Sequence, residues 1–153
     1  QVGLQLNLNN TWFNGIGFIE YDDTSTSSSS SRYNVLYNHS IYRTGYRYQG
    51  RVIGATWDND STVTSVGAVG YLSNGDSIET RYSTGELNVD NRPRLIHSIT
   101  ALSQRFSSVS AKWQRAFQWG DLKVEGRYTD RLVDDFGRQE NKLRFAASVD
   151  YNF

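Results

Sequence analysis

The chain has 153 residues, and its 16 Lys and Arg balance 16 Asp and Glu to a formal net charge of zero. This length suits a single domain, and the absence of cysteine excludes disulfides, thiolate metal sites and cysteine nucleophiles. A neutral chain lacks the basic excess typical of nucleic-acid-binding proteins, so we expect no nucleic-acid partner. Ten tyrosines, four tryptophans and no methionine are typical of an all-β protein. Because the first residue is Gln1, we expect a processed form or a piece of something longer.

The N-terminal half contains three predicted strands. Apolar side chains alternate over residues 2–8, which indicates a strand with one apolar face. Residues 11–22 have apolar side chains at both odd and even positions, so a strand is predicted there without assigning which face is apolar. The serine tract 27–31 is predicted to be a flexible connector, and alternation over residues 33–41 predicts a further strand.

The C-terminal half contains two predicted hairpins and a last strand. Asn74 and Gly75 predict a tight turn between strands 62–72 and 77–88. A compact turn at residues 118–121 lies within a second hairpin over residues 108–130. Residues 141–153 are predicted to pair next to it, and residues 96–106 could hold an extra strand. The total of about eight strands is even, as in bacterial barrels.

The last strand decides between two all-β folds. It alternates apolar and polar residues over a length that would cross a bilayer core, and it ends on Phe153. This ending resembles the C-terminal strand of bacterial outer-membrane barrels. A soluble sandwich needs the same alternation, but strand length, the terminal Phe and aromatics near strand ends favour a transmembrane antiparallel β-barrel. The aromatics predicted to form the membrane girdle are Trp113, Trp119, Tyr128, Tyr151 and Phe153.

The polar face of such strands would line the lumen of the barrel. There, charges of opposite sign are expected to pair with one another. The predicted lumen network consists of Glu79, Arg81, Lys112, Lys123, Glu125, Arg127 and Arg144.

Barrel connections alternate between short periplasmic turns and long outer loops. With a periplasmic C-terminus, residues 72–76 and 118–121 become periplasmic turns. The predicted outer loops are residues 43–61, 88–107 and 131–140. Strand counting puts the serine tract on the periplasmic side, and one miscounted strand would reverse that assignment.

Outer loop 43–61 has the composition of a sugar-binding segment. Aromatic faces can lie beneath the C–H surfaces of sugars, and Arg, Asp and Asn can bond their hydroxyls. The alternative is that its Arg and Asp residues pair with each other and tie a long loop to the barrel wall. The candidate glycan-binding residues are Tyr46, Arg47, Tyr48, Arg51, Trp57, Asp58 and Asp60.

The sequence also resembles the Wzi capsule-assembly family in its C-terminal portion. The resemblance lies in the order and spacing of segments 18–24, 33–39, 45–51, 53–54 and 58–61, together with the closing hairpin. It implies an outer-membrane barrel of about eighteen strands in a Gram-negative bacterium. It also implies a surface lectin, not an enzyme, that attaches capsular or exopolysaccharide to the cell and contacts outer-membrane lipid.

The family barrel is longer than this chain, and the N-terminal strands and plugging helices of the family have no counterpart here. We therefore expect residues 1–153 to be a single barrel segment whose edges pair with missing N-terminal strands or another chain. The alternative is a complete eight-stranded barrel with a structural, adhesin or pore role. An open membrane sheet would leave backbone groups unpaired in lipid, which favours the fragment.

Catalytic and metal sites have weaker support. A lipid-modifying barrel enzyme would use Ser98 with His39 or His97 and a carboxylate such as Glu86 or Asp90, but a triad is defined by geometry. Neither the pair Asp58 and Asp60 nor the adjacent Asp134 and Asp135 supplies opposed carboxylates for glycoside hydrolysis. The 58–60 segment also lacks the Gly and distal Glu of an EF-hand. We predict no metal and no cofactor.

Overall fold

A computed structural model describes residues 1–25, 47–48, 51–52, 56–58, 60–89, 91, 100, 102–133 and 139–151. Within these residues the structure is all-β, and no helix is long and apolar enough to cross a membrane. The strands are β1 Val2–Asn9, β2 Phe13–Asp23, β3 Arg47–Tyr48, β4 Arg51–Val52, β5 Ser61–Leu72, β6 Asp76–Leu87, β7 Gln104–Phe117, β8 Gly120–Val133 and β9 Gln139–Tyr151.

Seven of these strands form one antiparallel sheet in the order β1-β2-β5-β6-β7-β8-β9. The two-residue strands β3 and β4 pair separately. The all-β antiparallel prediction is confirmed, as are both predicted hairpins and the pairing of the last strand with β8. The strand predicted at residues 33–41 lies outside the described residues. In the part of the chain that is described, β1 and β9 are the two edges of the sheet.

The tight turns form where local chemistry requires them. Gly75 adopts a positive φ of 85°, which a glycine tolerates without the steric cost of a side chain. The side chain of Asn74 accepts a hydrogen bond from the N–H of Asp76 at 3.0 Å. These contacts close the β5–β6 turn as the Asn-Gly pair predicts.

The short turns all join strands at the same end of the sheet. We call this row of strand ends the turn edge, as distinct from the edge strands β1 and β9. The connections 24–60, 88–103 and 134–138 leave from the opposite edge, the long-connection edge. Asp23 pairs with Thr62, so the chain leaves β2 and enters β5 at that same edge. The strand count predicted that the serine tract leaves the sheet at the turn edge, and this prediction is wrong. The count failed because it put a strand between β2 and β5, which in fact pair directly.

Register separates the sheet into two faces with different chemistry. Directly opposed residues share a face, and side chains alternate along each strand. One row runs Leu4, Ile19, Val66, Tyr82, Val109, Tyr128 and Leu143, and we call its side the apolar face. The neighbouring row on the other side runs Glu20, Ser65, Ser83, Ser108, Thr129 and Lys142, and we call that side the polar face.

The described chain has a small hydrophobic core. Val63, Leu87 and Phe106 are nearly inaccessible to solvent and lie together on the polar face near the long-connection edge. Trp57 packs against them, with its ring 4.4 Å from that of Phe106 between centroids. Most large apolar side chains lie elsewhere, on the apolar face, where nothing in the described chain covers them.

Candidate functional site

The apolar face is a continuous band of exposed hydrophobic side chains. The band reaches from one edge strand to the other, since Leu4 on β1 is 74% exposed and Phe145 on β9 is 76% exposed. Three successive rows across all seven strands contain no charged residue. Soluble monomers rarely expose apolar patches on this scale, whereas a barrel wall in lipid requires one. We call these rows the apolar belt.

Charged residues mark the two limits of the belt. At the turn edge, Arg115 donates to both carboxylate oxygens of Asp76 at 2.5 and 3.1 Å. At the long-connection edge, Asp130 accepts hydrogen bonds from the backbone and hydroxyl of Ser107 at 2.8 and 2.6 Å. Ser107 and Arg115 are eight residue steps apart, which is about 27 Å along the strand. A barrel strand tilted by about 40° would cover roughly 20 Å of depth over that length.

Aromatic side chains gather near both limits of the belt. At the turn edge, the ring of Trp119 stacks on Phe117 at 4.9 Å and contacts Tyr151 at 5.6 Å between centroids. Near the other limit, Tyr82 and Tyr128 lie in one row on either side of Val109. Aromatic residues at both interfaces are typical of membrane barrels.

The positions of the remaining girdle candidates differ. Trp113 lies inside the belt, two residues from Arg115, whose guanidinium is 5.9 Å from the Trp113 ring. Phe153 lies outside the described residues. The sequence prediction also missed Phe117 and Tyr82 as girdle residues, although both lie on the same face of the sheet as Tyr128.

The seven charged residues predicted for the lumen share the polar face of the sheet. Arg81 donates to Glu20 at 2.9 Å, and its guanidinium lies 5.0 Å from the ring of Phe18. Lys123 pairs with Asp150 at 2.6 Å. The sequence prediction missed both acidic partners, because each lies on a strand that only the register brings into reach.

A hydrogen-bonded tie joins the long connection 24–60 to the sheet. The hydroxyl of Thr24 accepts the N–H of Ser61 at 3.0 Å and lies within donating distance of the Asp58 and Ser61 carbonyls. Ser61 in turn donates its hydroxyl to the carbonyl of Trp57 at 2.9 Å. The N–H of Asp60 donates to the Thr24 carbonyl at 3.2 Å. Trp57, Asp58, Asp60 and Ser61 are thus held against the end of β2.

The predicted glycan-binding residues divide into two groups. Arg47, Tyr48 and Arg51 lie on strands β3 and β4, where Tyr48 pairs with Arg51 and Arg47 with Val52. Tyr46 lies outside the described residues. Trp57, Asp58 and Asp60 belong instead to the tie, and the two aspartates are 3% and 0% exposed.

Burial separates the two groups by chemistry. A side chain that is closed to solvent has no surface to offer an incoming sugar, so Asp58 and Asp60 are better suited to holding the connection in place. Both adopt positive φ angles, of 71° and 54°, which for non-glycine residues are uncommon and persist where the surroundings hold them.

The catalytic and metal alternatives receive no geometric support from the described residues. His39, His97, Ser98, Asp90, Asp134 and Asp135 all lie outside them. Glu86, the remaining candidate, accepts a hydrogen bond from Ser103 at 3.0 Å and lies 3.6 Å from Arg105. In the part of the chain that the structure describes, no three His, Asp or Glu side chains are grouped to hold a metal ion.

Comparison with known proteins gives one family and one solved structure. The family model of the capsule assembly protein Wzi matches residues 17–144. The structure is that of Wzi from Escherichia coli, an outer membrane protein involved in group 1 capsule assembly and a carbohydrate-binding β-barrel. The chain is 19% identical to it, with a TM-score of 0.71 over 95% of this chain and 31% of that chain. At this identity the likeness shows the fold. No curated protein matches the chain.

Proposed function

Because the chain belongs to the Wzi capsule assembly family, we propose that it forms part of an outer-membrane β-barrel that attaches capsular or exopolysaccharide to the surface of a Gram-negative bacterium. The proposed activity is binding, with no reaction catalysed. The chain spans 31% of the length of the E. coli structure it matches, so it would contribute one part of the barrel wall.

The observation that carries the proposal is the two-sided sheet. Its apolar belt is exposed and contains no charged residue in three successive rows. Charged residues lie at its two limits, and aromatic residues lie near both. Water would penalise such a surface by about 25 cal/mol for each Å² of apolar area left uncovered. Outer-membrane lipid would remove that penalty, and it is therefore the proposed neighbour of this face.

The proposed orientation of the sheet rests on the lengths of its connections. Bacterial barrels have short turns in the periplasm and longer loops outside the cell. This rule puts the turn edge in the periplasm and connection 24–60 outside. Strands β3 and β4 belong to that connection, so Arg47, Tyr48 and Arg51 would be presented at the cell surface.

The proposed binding site is this hairpin and its neighbours. Arg supplies several hydrogen-bond donors in a fixed fork, and Tyr supplies a flat apolar face with a polar tip, which together suit a sugar ring. We propose Tyr46, Arg47, Tyr48 and Arg51 as glycan contacts and Trp57 as a residue at the base of the site. Asp58 and Asp60 would act indirectly, by holding the outer connection against β2 through the Thr24 tie.

The test replaces Tyr48 and Arg51 with alanine in the native protein, in the native strain. We expect polysaccharide to be released from the cell surface into the medium while the barrel remains folded. Cell-bound and released polysaccharide are measured separately, and folding is checked by the shift in electrophoretic mobility on heating. Tyr71→Ala with Arg105→Ala is the matched control, because these residues lie on the sheet and not in the hairpin. Unchanged retention of polysaccharide by the folded Tyr48 and Arg51 variant would overturn the site assignment.

A further inference from the structure

A cavity of about 540 Å³ lies on the apolar face of the sheet, just beyond the belt and toward the long-connection edge. Its volume is within the usual range for small-ligand sites. Residues of β5, β6 and β7 line it, and each of these strands is paired on both sides by another described strand. The cavity therefore belongs to the middle of the sheet and not to the edge strands, where a further barrel strand would pair.

The lining of the cavity changes from apolar to polar along the strands. Tyr82 lies in the outermost row of the belt, at the inner end of the cavity, and is 42% exposed. The next two rows on this face contribute only hydroxyl-bearing and charged lining residues, which are Thr64, Thr84, Ser107, Thr62, Glu86 and Arg105. A ligand with an apolar tail and a polar head would match this order.

The depth of the polar rows matches that of lipid headgroups. Thr64 shares the row of Ser107, which limits the belt, and Thr62 lies two residues further along β5. Two residues span about 7 Å of strand, or roughly 5 Å of depth for a strand tilted by about 40°. The headgroup region extends about 5–8 Å beyond the hydrocarbon on each side of a bilayer. With the belt in lipid, the cavity would open among the headgroups of the outer leaflet.

Two hydroxyls in the cavity are available to a ligand. Within the part of the chain that the structure describes, the side chains of Thr62 and Thr64 form no hydrogen bond, and both are half-buried. The other two hydroxyls are already used, since Thr84 donates to the carbonyl of Phe106 at 3.0 Å and Ser107 donates to Asp130 at 2.6 Å. The β5 wall of the cavity therefore supplies the unused donors and acceptors.

The charges beside these hydroxyls are balanced. Glu86 accepts a hydrogen bond from Ser103 at 3.0 Å and lies 3.6 Å from Arg105. These contacts hold the carboxylate in place and leave it lone pairs for a further donor, since an ionised carboxyl group has about four acceptor positions. A balanced ion pair beside hydroxyls suits the hydroxyl groups of a sugar, whereas an isolated phosphate would favour an excess of positive charge.

We propose that this cavity binds the sugar headgroup of a glycolipid in the outer leaflet, an inference that rests on the proposed placement of the sheet in the outer membrane. The hydroxyls of Thr62 and Thr64 and the carboxylate of Glu86 bind sugar hydroxyls, and the ring of Tyr82 contacts the apolar part of the headgroup. The acyl chains then continue along the apolar belt. Lipopolysaccharide, the sugar-bearing lipid of Gram-negative outer leaflets, has this chemistry.

The experiment titrates the full protein in detergent with two anionic lipids separately, rough lipopolysaccharide and phosphatidylglycerol. Both probes carry acyl chains and negative charge, so a preference reports the sugar. We expect the native protein to bind lipopolysaccharide at least about tenfold more tightly. Thr62→Val with Thr64→Val keeps the side-chain shape but removes both hydroxyls, and it should weaken lipopolysaccharide binding about tenfold without changing phosphatidylglycerol binding. The matched control is Thr80→Val, which removes a hydroxyl from the centre of the belt.

Stability without lipid distinguishes binding from packing. The Thr62 and Thr64 variant should unfold at the native temperature in detergent alone, because neither hydroxyl bonds a described residue. Weaker lipopolysaccharide binding explained by a matching loss of lipid-free stability would assign the hydroxyls to packing and overturn the proposal. Unchanged lipopolysaccharide binding by the folded variant would also overturn it.

Two other outcomes separate this inference from the proposed function. Equal affinity of the native protein for the two lipids would overturn the glycolipid site while leaving the belt in lipid and the proposed function intact. Failure to bind either lipid, together with unchanged polysaccharide retention in the Tyr48 and Arg51 variant, would overturn both.

Discussion

Two adjacent alanines on β9 provide a direct test of the medium on each side of the sheet. Ala146 lies on the polar face opposite Glu125, whereas Ala147 lies on the apolar face opposite Val124. Both are exposed in the described chain and are neighbours in one strand. The same substitution at the two positions therefore differs only in the face of the sheet that receives the new side chain. Replacing each with arginine compares the polar face with the apolar belt.

The expected costs follow from the depth of each position. The row of Ala147 includes Trp113 and lies one row inside the Asp76–Arg115 pair, or about 5 Å of depth for a tilted strand. Arginine on the lipid face of a barrel costs about 2–4 kcal/mol at the midplane and less toward the interfaces. We therefore expect Ala147→Arg to lower the free energy of unfolding by about 2 kcal/mol. Ala146→Arg should change it by less than about 0.5 kcal/mol, because the new guanidinium faces a carboxylate in an open setting.

A third position adds a dependence on depth. Ala111 lies midway between Ser107 and Arg115, so it marks the centre of the belt, and Ala111→Arg should cost about 3 kcal/mol. Each variant is folded into lipid vesicles, and its unfolding in urea is followed by tryptophan fluorescence. Equal losses for Ala146→Arg and Ala147→Arg would refute the reasoning, since they would mean that both faces meet the same solvent.

Two further predictions concern packing and the tie at the long-connection edge. Gly85→Ala should destabilise the protein by about 1–3 kcal/mol, because its Cβ would press on the carbonyl of Thr62 and the backbone of Val63. Gly17→Ala, where the nearest atom is 4.0 Å from the new Cβ, should be nearly neutral in the same urea titration. Thr24→Val removes the hydroxyl that bonds Ser61 and Asp58, so it should cost about 1–3 kcal/mol and speed protease cleavage within connection 24–60. Its control is Thr80→Val on the apolar face, and equal cleavage rates in the two variants would count against the tie.

Local sequence was sufficient for much of the fold. Alternation of apolar and polar residues decides which side chains share a face, because successive residues in a strand point in opposite directions. The sharp turns were equally predictable, since Asn74 and Gly75 carry the conformational preferences that close them. For the same reason, all seven charges predicted for the lumen occur on a single face of the sheet.

Strand order was less predictable. β2 pairs with β5 across the whole of connection 24–60, and this reversed the edge from which the serine tract was expected to start. Nothing in the local pattern specifies which strand a given edge will pair with, because backbone hydrogen bonds are the same for any partner. Partner choice depends on contacts between distant segments, such as Thr24 with Ser61.

The candidate site shows the same division. Composition alone identified segment 43–61 as rich in Tyr, Arg and Asp, and alternation predicted that Arg127 and Arg144 lie on the polar side. Only the tertiary structure showed that Asp58 and Asp60 are buried in the tie to β2, and only the register showed that Arg127 and Arg144 face each other. The physical reason is that a residue's chemistry is a property of its own atoms, whereas its burial and its charged neighbours are set by chain segments far away in sequence.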